Sequence, residues 1–232
     1  MLRSEKWHFP ALIFRQLHPG KEMLYAKRLD AGVGVVIFIA RPRLPINPSQ
    51  CAATLQASIP TICGTMHIRR IRANEASHLR ALRLHALADA PMAFGSTLAH
   101  EQGYPDDVWR GRAIGASEGC DRATFIAERD GRWVGLATGL ARPDDRQSPG
   151  PLLVGMFVDN TIRRLGVGVA LVEAVSEWAR ACGASHLTLW VTSGNDAAMA
   201  LYHRCGFRLT SVTRPLAHTP TLAECEMIRN LQ

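Results

Sequence analysis

The sequence predicts a mixed α/β fold, with antiparallel strands first and a β-α-β core after them. Two strand-like segments, residues 124–128 and 133–140, are joined by Asp130 and Gly131, a dipeptide typical of tight hairpin turns. The apolar segment Leu152–Val158 then leads through a glycine-containing loop into a segment with helical periodicity. Strand-like and helix-like segments alternate from there to the C-terminus, and this alternation indicates the β-α-β arrangement.

The other elements follow from local patterns. Residues 66–72 predict a short strand, and the leucines that recur from Leu79 to Leu87 predict a helix after it. Residues 106–114 look helical, and residues 142–151 form a polar loop. The C-terminal part is expected to contain a strand at 186–192, a helix at about 195–205 and two final strands.

Composition excludes several classes of protein. The chain has 232 residues, 47% of them hydrophobic, which is enough for a core, and no apolar stretch reaches the 18 residues that a membrane span needs. The longest apolar run, residues 31–40, reads as a buried strand and not as a signal peptide. We therefore expect a cytoplasmic protein without a membrane partner.

The six cysteines show no C-x-x-C pair, and no two cysteines or two histidines have the spacing of a metal clip. Because this is not a short secreted scaffold, we expect reduced, mostly buried thiols and no metal.

The net charge of +7 is unevenly distributed. Residues 1–65 hold eight Lys and Arg against three acids, whereas the rest holds nineteen against seventeen. Nucleic-acid binding by the whole chain therefore loses its main support. All lysines lie before residue 28, and residues 41–65 contain four prolines. We predict an N-terminal extension over 1–65, poorly ordered or dispensable, and one working domain over 66–232.

The strongest motif follows the apolar strand Leu152–Val158. It has the form R-x-x-G-x-G from Arg163 to Gly168, and a helix begins directly after it. Glycines at 166 and 168 let the backbone curl closely around a bulky anion. Free N–H groups of the first helical turn would point at that anion, with Arg163 and Arg164 adding positive charge. The motif therefore predicts a pyrophosphate site.

Two other phosphate motifs fit poorly. A Walker A loop requires a lysine that this region lacks, and a dinucleotide fingerprint requires a small residue where Leu171 stands.

A second motif narrows the choice of ligand. It reads N-x-x-A-x-x-L-Y-x-x-x-G-F from Asn195 to Phe207. In combination with the loop of Arg163 to Gly168, it closely resembles the cofactor motifs of the GNAT superfamily of N-acetyltransferases. The likeness covers about residues 66–232 and is strongest from Leu152 onward.

The resemblance implies the GNAT fold, a mostly antiparallel sheet splayed at the acyl-CoA site, and acetyl-CoA as co-substrate. Tyr202 would be the general acid for the departing thiolate, although a tyrosine there could also be a core residue. Asn195 would contact the pantetheine or serve only as a helix cap. The other cofactor contacts that the resemblance implies are Phe157, Val158, Arg163, Arg164, Leu165, Gly166, Val167, Gly168 and Val169.

One position departs from the family pattern, because Leu152 stands where many relatives place a glutamate base. Glu101, Asp106 or Asp107 could serve instead, as could a water chain, or the acceptor could have a low enough pKa to need no base. Phe94, in a segment similar to one that lines the acceptor side in related enzymes, and Glu101 are the predicted substrate-side residues.

The favoured function is transfer of an acetyl group from acetyl-CoA to a primary amine of a small molecule or peptide. The alternative is a non-catalytic acyl-CoA sensor that lost its base, and the third, nucleic-acid binding, lacks interleaved aromatic and basic residues. The resemblance also allows a homodimer, and the acceptor's identity stays open.

Overall fold

In the computed structural model, residues 65–141 and 150–232 are described in full, together with three short strands earlier in the chain. The chain divides into two compact units, Met1–Ile46 and Asn47–Gln232. In the first unit, strands β1 (Leu24–Lys27) and β2 (Val36–Ile39) pair antiparallel. Strand β2 lies inside the apolar run for which a strand was predicted.

The second unit is built on one eight-stranded sheet with the order β3-β4-β5-β6-β7-β8-β10-β9. All its neighbouring strands are antiparallel except β7 and β8, which are parallel. The strands are β3 Ala57–Pro60, β4 Thr65–Arg70, β5 Arg122–Arg129, β6 Arg132–Leu140, β7 Leu152–Val158, β8 His186–Thr192, β9 Arg208–Leu216 and β10 Thr219–Asn230. This mixed, mostly antiparallel sheet confirms the predicted fold class.

Within the described residues, five α-helices cover the two faces of this sheet. They are α1 Ala76–Asp89, α2 Leu98–Gln102, α3 Asp106–Ser117, α4 Val167–Ala181 and α5 Asp196–Arg204. Side chains alternate across each strand, so Phe125 joins the core cluster around α4, while its neighbour Ile126 joins the cluster around α1. The sheet is therefore buried on both faces.

The two parallel strands part soon after they meet. Strand β7 pairs with β8 only at Leu152↔Thr188 and Leu153↔Leu189, although each strand has seven residues. Beyond that point β7 stays paired with β6, and β8 stays paired with β10. The carboxyl ends of two neighbouring strands thus form a V-shaped gap in the middle of the sheet.

Several local predictions are confirmed. Asp130 and Gly131 both have positive φ, 50° and 73°, as a two-residue hairpin turn requires. Strands β7 and β8 span the predicted residues. Gly183, with φ of 82°, directly follows Cys182, the C-cap residue of α4. The short helix α2 was not predicted, and the polar loop predicted at 142–151 lies mostly outside the described residues.

The expectation that the cysteines are reduced was wrong for one pair. Cys120 and Cys182 form a disulfide with a Cα–Cα distance of 5.6 Å, across 62 residues of sequence. Cys182 is the C-cap residue of α4, and its partner Cys120 lies in the segment before β5. Cys205 and Cys225 are free thiols, and Cys51 and Cys63 lie outside the described residues.

The predicted boundary at residues 65/66 omits one edge strand. Strand β3 pairs with β4 over Ala57↔Ile68 to Pro60↔Thr65, and the unit boundary falls after Ile46. The predicted disorder or dispensability of residues 1–65 concerns residues that lie largely outside the described part, and it stays a prediction. Among the described residues, every helix is too short or too polar to span a membrane.

Gly139 on β6 allows α4 to pack closely against the sheet. A Cβ atom at this position would lie 2.7 Å from Cε3 of Trp178 and 3.0 Å from Cγ1 of Val175. We expect Gly139→Ala to lower the free energy of unfolding by about 1–3 kcal/mol, because the indole must move in a filled core. Denaturant titration would measure this.

The control is Gly115→Ala on the exposed face of α3, where the added Cβ meets no atom within 4 Å. This change should raise stability slightly, by up to about 1 kcal/mol, through helix propensity. Equal stability of the Gly139→Ala variant and the wild type would contradict the packing described for Trp178.

Candidate active site

A large cavity occupies the gap between β7 and β8. Its volume is about 920 Å³, which is within the range of sites that hold an extended cofactor. One wall is the end of β7, the second is the end of β8, and the base is the N-terminus of α4, with α5 opposite. Predicted site residues that line it are Phe94, Phe157, Val158, Arg163, Arg164, Gly166, Gly168, Val169, Asn195 and Tyr202.

The base of this cavity has free backbone donors. Gly166 lies before α4 with φ of 83° and provides no side-chain cap, and no acidic residue lies in the first turn. The first intrahelical bond runs from Ala170 N–H to Gly166 O, so the N–H groups of residues 167–169 have no partner within the helix. Arg164, with φ of 67°, is exposed beside them. These donors and the helix dipole favour an anion.

Arg163 lines the cavity and also binds two other parts of the chain, so its contact with a phosphate stays a prediction. Its Nη2 donates to Asp89 Oδ2 at 2.6 Å, and its Nε donates to the carbonyl oxygen of Val158 at 2.9 Å. Asp89 at the end of α1 therefore balances its charge, and the arginine connects α1, β7 and the loop. Of the two predicted arginines, Arg164 carries the positive charge available to a phosphate.

Backbone direction separates Val158 from Phe157. The N–H of Asp159 donates to Val134 O on β6, and alternate residues of a strand present their backbone groups to opposite sides. Val158 N–H therefore points into the gap. Phe157 pairs with Leu136 on β6, so its backbone groups face β6 in this register. The predicted backbone contacts of both residues with a cofactor stay predictions. Its side chain is buried and lines the cavity.

Asn195 and Tyr202 both lie on the α5 side of the cavity. Asn195 caps the helix, since its Oδ1 accepts from Ala198 N–H at 3.2 Å, which is the second of its two predicted roles. Tyr202 is 6% exposed and packs edge-on against Phe207. Burial, assisted by nearby Cys205, raises the pKa of Tyr202, so its hydroxyl stays protonated through the neutral range.

A second, smaller cavity of about 360 Å³ adjoins the first and shares Ala93, Phe94 and Trp190 with it. Both predicted substrate-side residues, Phe94 and Glu101, line it. Leu152, at the position of the absent glutamate, also lines it and is buried. The other two candidate bases are surface residues: Asp106 pairs with Arg80, and Asp107 accepts from its neighbour's N–H.

Glu101 is a buried, fully engaged carboxylate. It is 2% exposed and binds Arg83 Nη2 at 2.7 Å and Arg112 Nη1 at 3.0 Å. Burial is the largest single influence and raises the pKa of Glu101, but the bonds and charges of Arg83 and Arg112 together lower it. An ionised carboxylate with a lowered pKa is a poor general base, so the geometry favours a structural role.

This network should be important for stability. We expect Glu101→Gln to lower the free energy of unfolding at pH 7 by about 3–5 kcal/mol, because two guanidinium groups lose their buried counter-charge. The folded-state pKa of Glu101 is lowered, so its contribution is present above the unfolded carboxyl pKa of about 4.3 and lost as pH falls through the folded value.

The difference in free energy of unfolding between wild type and the Glu101→Gln variant should therefore shrink below about pH 4. Denaturant titrations at several pH values would measure it. Glu118→Gln, an exposed glutamate that follows α3, is the control and should be neutral. A deficit that is the same at every pH would contradict the ionic explanation.

Sequence reasoning missed five charged residues that line the second cavity: Arg83, Arg112, Arg122, Arg214 and Glu224. Arg83 had a detectable signal, because it lies four residues after Leu79 and four before Leu87, on the apolar face of α1. Glu224 is 7% exposed, and its carboxylate accepts from Arg214 Nε at 2.9 Å. Nothing local marks it, since it lies on a final strand with mixed polarity.

Comparisons with known proteins agree with this geometry. Residues 80–207 match the acetyltransferase (GNAT) family, which is more than half of the chain. The solved acetyltransferase of the GNAT family from Streptococcus pneumoniae has a TM-score of 0.60 at 20% identity, over 72% of this chain and 99% of that one. An acetyltransferase of Salmonella typhimurium, solved with acetyl-CoA, has a TM-score of 0.59 at 18% identity, over 72% of this chain and 94% of that one. These structures share the fold.

Curated relatives match over shorter segments. The rice acetyl transferase GW6a is 46% identical over 50 residues, 22% of this chain and 12% of its own length. Human N-acetyltransferase 8 is 36% identical over 87 residues, 37% of this chain and 38% of its own length. The aminoglycoside N(6')-acetyltransferase type 1 of Salmonella typhimurium is 29% identical over 112 residues, which are 47% of this chain and 77% of its own length. The matched segments thus cover less than two fifths of the first two relatives.

Proposed function

Because the chain belongs to the GNAT acetyltransferase family, we propose that it moves an acetyl group from acetyl-CoA to a primary amine of a small molecule or peptide. One observation carries this proposal: the parallel strands β7 and β8 part directly above an uncapped helix N-terminus, and a cavity of about 920 Å³ fills the gap. Such a site suits a ligand with a pyrophosphate at one end and an extended arm.

The residues present fit acetyl-CoA. A Cβ atom on Gly168 would lie 3.0 Å from Cδ2 of Leu201 and 3.4 Å from Cε of Met156, so glycine keeps the cavity open where the loop enters the helix. The N–H groups of residues 167–169 would hold the pyrophosphate, with Arg164 beside it. The cavity wall formed by Asn195 and Ala198 would lie along the pantetheine arm.

Two groups of this chain would then perform the chemistry that a thioester allows. The N–H of Val158, which points into the gap, would donate to the carbonyl oxygen as negative charge develops on it. Tyr202 would hold a proton for the departing thiolate, since burial keeps its hydroxyl in the protonated form. Both groups line the same cavity.

The amine must lose a proton to attack, and Leu152 cannot accept it. Of the two carboxylates that line the second cavity, Glu101 is bound by two arginines, whereas Glu224 accepts from Arg214. We therefore favour Glu224, or water in the second cavity, as the proton acceptor. The second cavity adjoins the first at Phe94 and Trp190, which line both cavities.

Release of free thiol from acetyl-CoA, measured with the full chain across a panel of primary amines, tests the proposal. Turnover with an acetylated amine as product supports it. CoA binding without turnover on any amine would instead favour the alternative of a non-catalytic acyl-CoA sensor, for which Leu152 is the motivating residue. The cytoplasmic location, the homodimer and the absence of nucleic-acid and membrane partners stay predictions.

A further inference from the structure

The second cavity has an excess of positive charge. Among the described residues, four guanidinium groups and two carboxylates line it. They are Arg83, Arg112, Arg122 and Arg214, with Glu101 and Glu224. Both carboxylates already accept from arginines, so the surplus is two positive charges in a concave, partly desolvated space. Such a surface attracts an anionic group.

Unpartnered polar atoms lie in the walls of the same cavity. Within the described part of the chain, three buried side-chain atoms have no hydrogen-bond partner: Arg83 Nη1, Ser96 Oγ and Trp109 Nε1. All three side chains line the second cavity. Arginine and tryptophan nitrogens can only donate, and a buried donor without an acceptor destabilises the folded chain. A ligand that brings acceptor atoms would remove this cost.

Arg83 is placed to hold such a ligand. Its Nε and Nη2 bind Glu101, which fixes the guanidinium plane and leaves Nη1 toward β7. A Cβ atom on Gly155 would lie 3.9 Å from Arg83 Nη1 and 4.0 Å from Thr138 Oγ1. Gly155 itself has φ of 64° and no side chain. A donor nitrogen and a hydroxyl therefore face a bare stretch of backbone.

Arg122 supplies the second cation. Its side chain has no hydrogen bond or ion pair with any described residue, and it lies in the cavity wall. Burial, followed by the charge of Arg112, lowers the pKa of Arg122, which shows that its environment disfavours an uncompensated positive charge. A bound anion would offset both the burial of Arg122 and its repulsion by Arg112.

We propose that the acceptor is a small amine that also carries a carboxylate, as an amino acid does, and that Arg83 and Arg122 bind the carboxylate. This inference rests on the acetyl transfer proposed above, because it assigns the second cavity to the acceptor. The amine end then lies toward Phe94 and Trp190, where the two cavities adjoin. A polycation such as an aminoglycoside meets the surplus of positive charge and binds poorly.

Matched acceptors test the proposal. The full chain with acetyl-CoA is given a series of amino acids, the corresponding carboxamides and the corresponding decarboxylated amines, and thiol release yields kcat/KM for each. The expected result is a loss of about tenfold or more when the carboxylate is removed, since a charge-assisted bidentate contact is lost. Aminoglycosides should give lower rates than the amino acids.

A variant locates the effect. Arg122→Met keeps much of the side-chain volume and removes the charge, so the ratio of kcat/KM for acid over amide should fall toward one. Arg132→Met, an exposed arginine on β6 that lines neither cavity, is the matched control and should keep the wild-type ratio. Thermal unfolding of both variants shows whether the fold is kept.

Calorimetry of the amino acids with the chain alone separates this proposal from the one above. If CoA does not bind, the proposed function fails. Calorimetry would still show whether amino acids bind more tightly than their amides, which tests the carboxylate site of Arg83 and Arg122. Equal binding or turnover of acid and amide, faster turnover of aminoglycosides, or a preference for acids that Arg122→Met leaves intact would each overturn it.

Discussion

Replacing Tyr202 by phenylalanine should reduce kcat by about 10²-fold or more, which is the lower end of what a general acid contributes. The phenyl ring preserves the edge-on contact with Phe207, and only the hydroxyl is lost. Because burial raises the pKa of Tyr202, the wild-type enzyme should keep its acid in the protonated form up to at least about pH 10, the ordinary tyrosine value. The measurement is the pH dependence of kcat for both proteins.

The affinity for CoA should be nearly unchanged in this variant, because the hydroxyl acts on the sulfur only as it leaves. Tyr104→Phe is the control: Tyr104 packs against His100 and Trp109 and lines neither cavity. Wild-type kcat in Tyr202→Phe would show that Tyr202 is a core residue and not the acid.

Val169→Asp should weaken CoA binding by about 100-fold or more. Val169 lines the first cavity in the first turn of α4. The carboxylate of an aspartate at this position would lie beside the bound pyrophosphate. At an effective dielectric constant near 20, two like charges about 5 Å apart repel by roughly 3 kcal/mol, and a factor of ten in affinity corresponds to about 1.4 kcal/mol. Calorimetric titration with CoA measures the effect.

The fold should tolerate this change, because an acidic residue in the first helical turn is favourable to the helix itself by about 0.3–1 kcal/mol. In Val169→Asn the new side chain has nearly the same size as aspartate but no charge, so this variant should retain most of the affinity for CoA. An equal loss in the two variants would indicate a steric effect, and unchanged affinity in Val169→Asp would place the pyrophosphate elsewhere.

Local patterns were sufficient to predict much of this molecule. Strand β7 is an apolar run, and the loop between Arg163 and Gly168 has backbone requirements that its own glycines reveal. The cap at Asn195 and the turn at Asp130 also depend on near neighbours in sequence. In each case the interaction that determines the structure spans only a few residues.

The errors involve partners that are distant in sequence. Arg163 binds Asp89, 74 residues away, and this ion pair was not foreseen. The disulfide of Cys120 and Cys182 joins segments 62 residues apart. The direction of the Phe157 backbone depends on its register with β6, which no local pattern encodes.

The same limit applies to the second cavity. The two ion pairs of Glu101 were not predicted, because helix α2 was not predicted and because Arg83 and Arg112 come from two other helices. Glu224 comes from the last strand, and Arg122 from the first residue of β5. Only the folded chain brings them to one cavity.

We propose that the gap between β7 and β8 holds acetyl-CoA for transfer to an amine in the adjoining cavity. A crystal structure of the full chain with acetyl-CoA would show where the cofactor binds. We expect the pyrophosphate on the N–H groups of residues 167–169, the thioester oxygen at Val158 N–H and the sulfur beside the hydroxyl of Tyr202. A cofactor bound outside this gap, or a thioester directed away from Tyr202 and the second cavity, would contradict it.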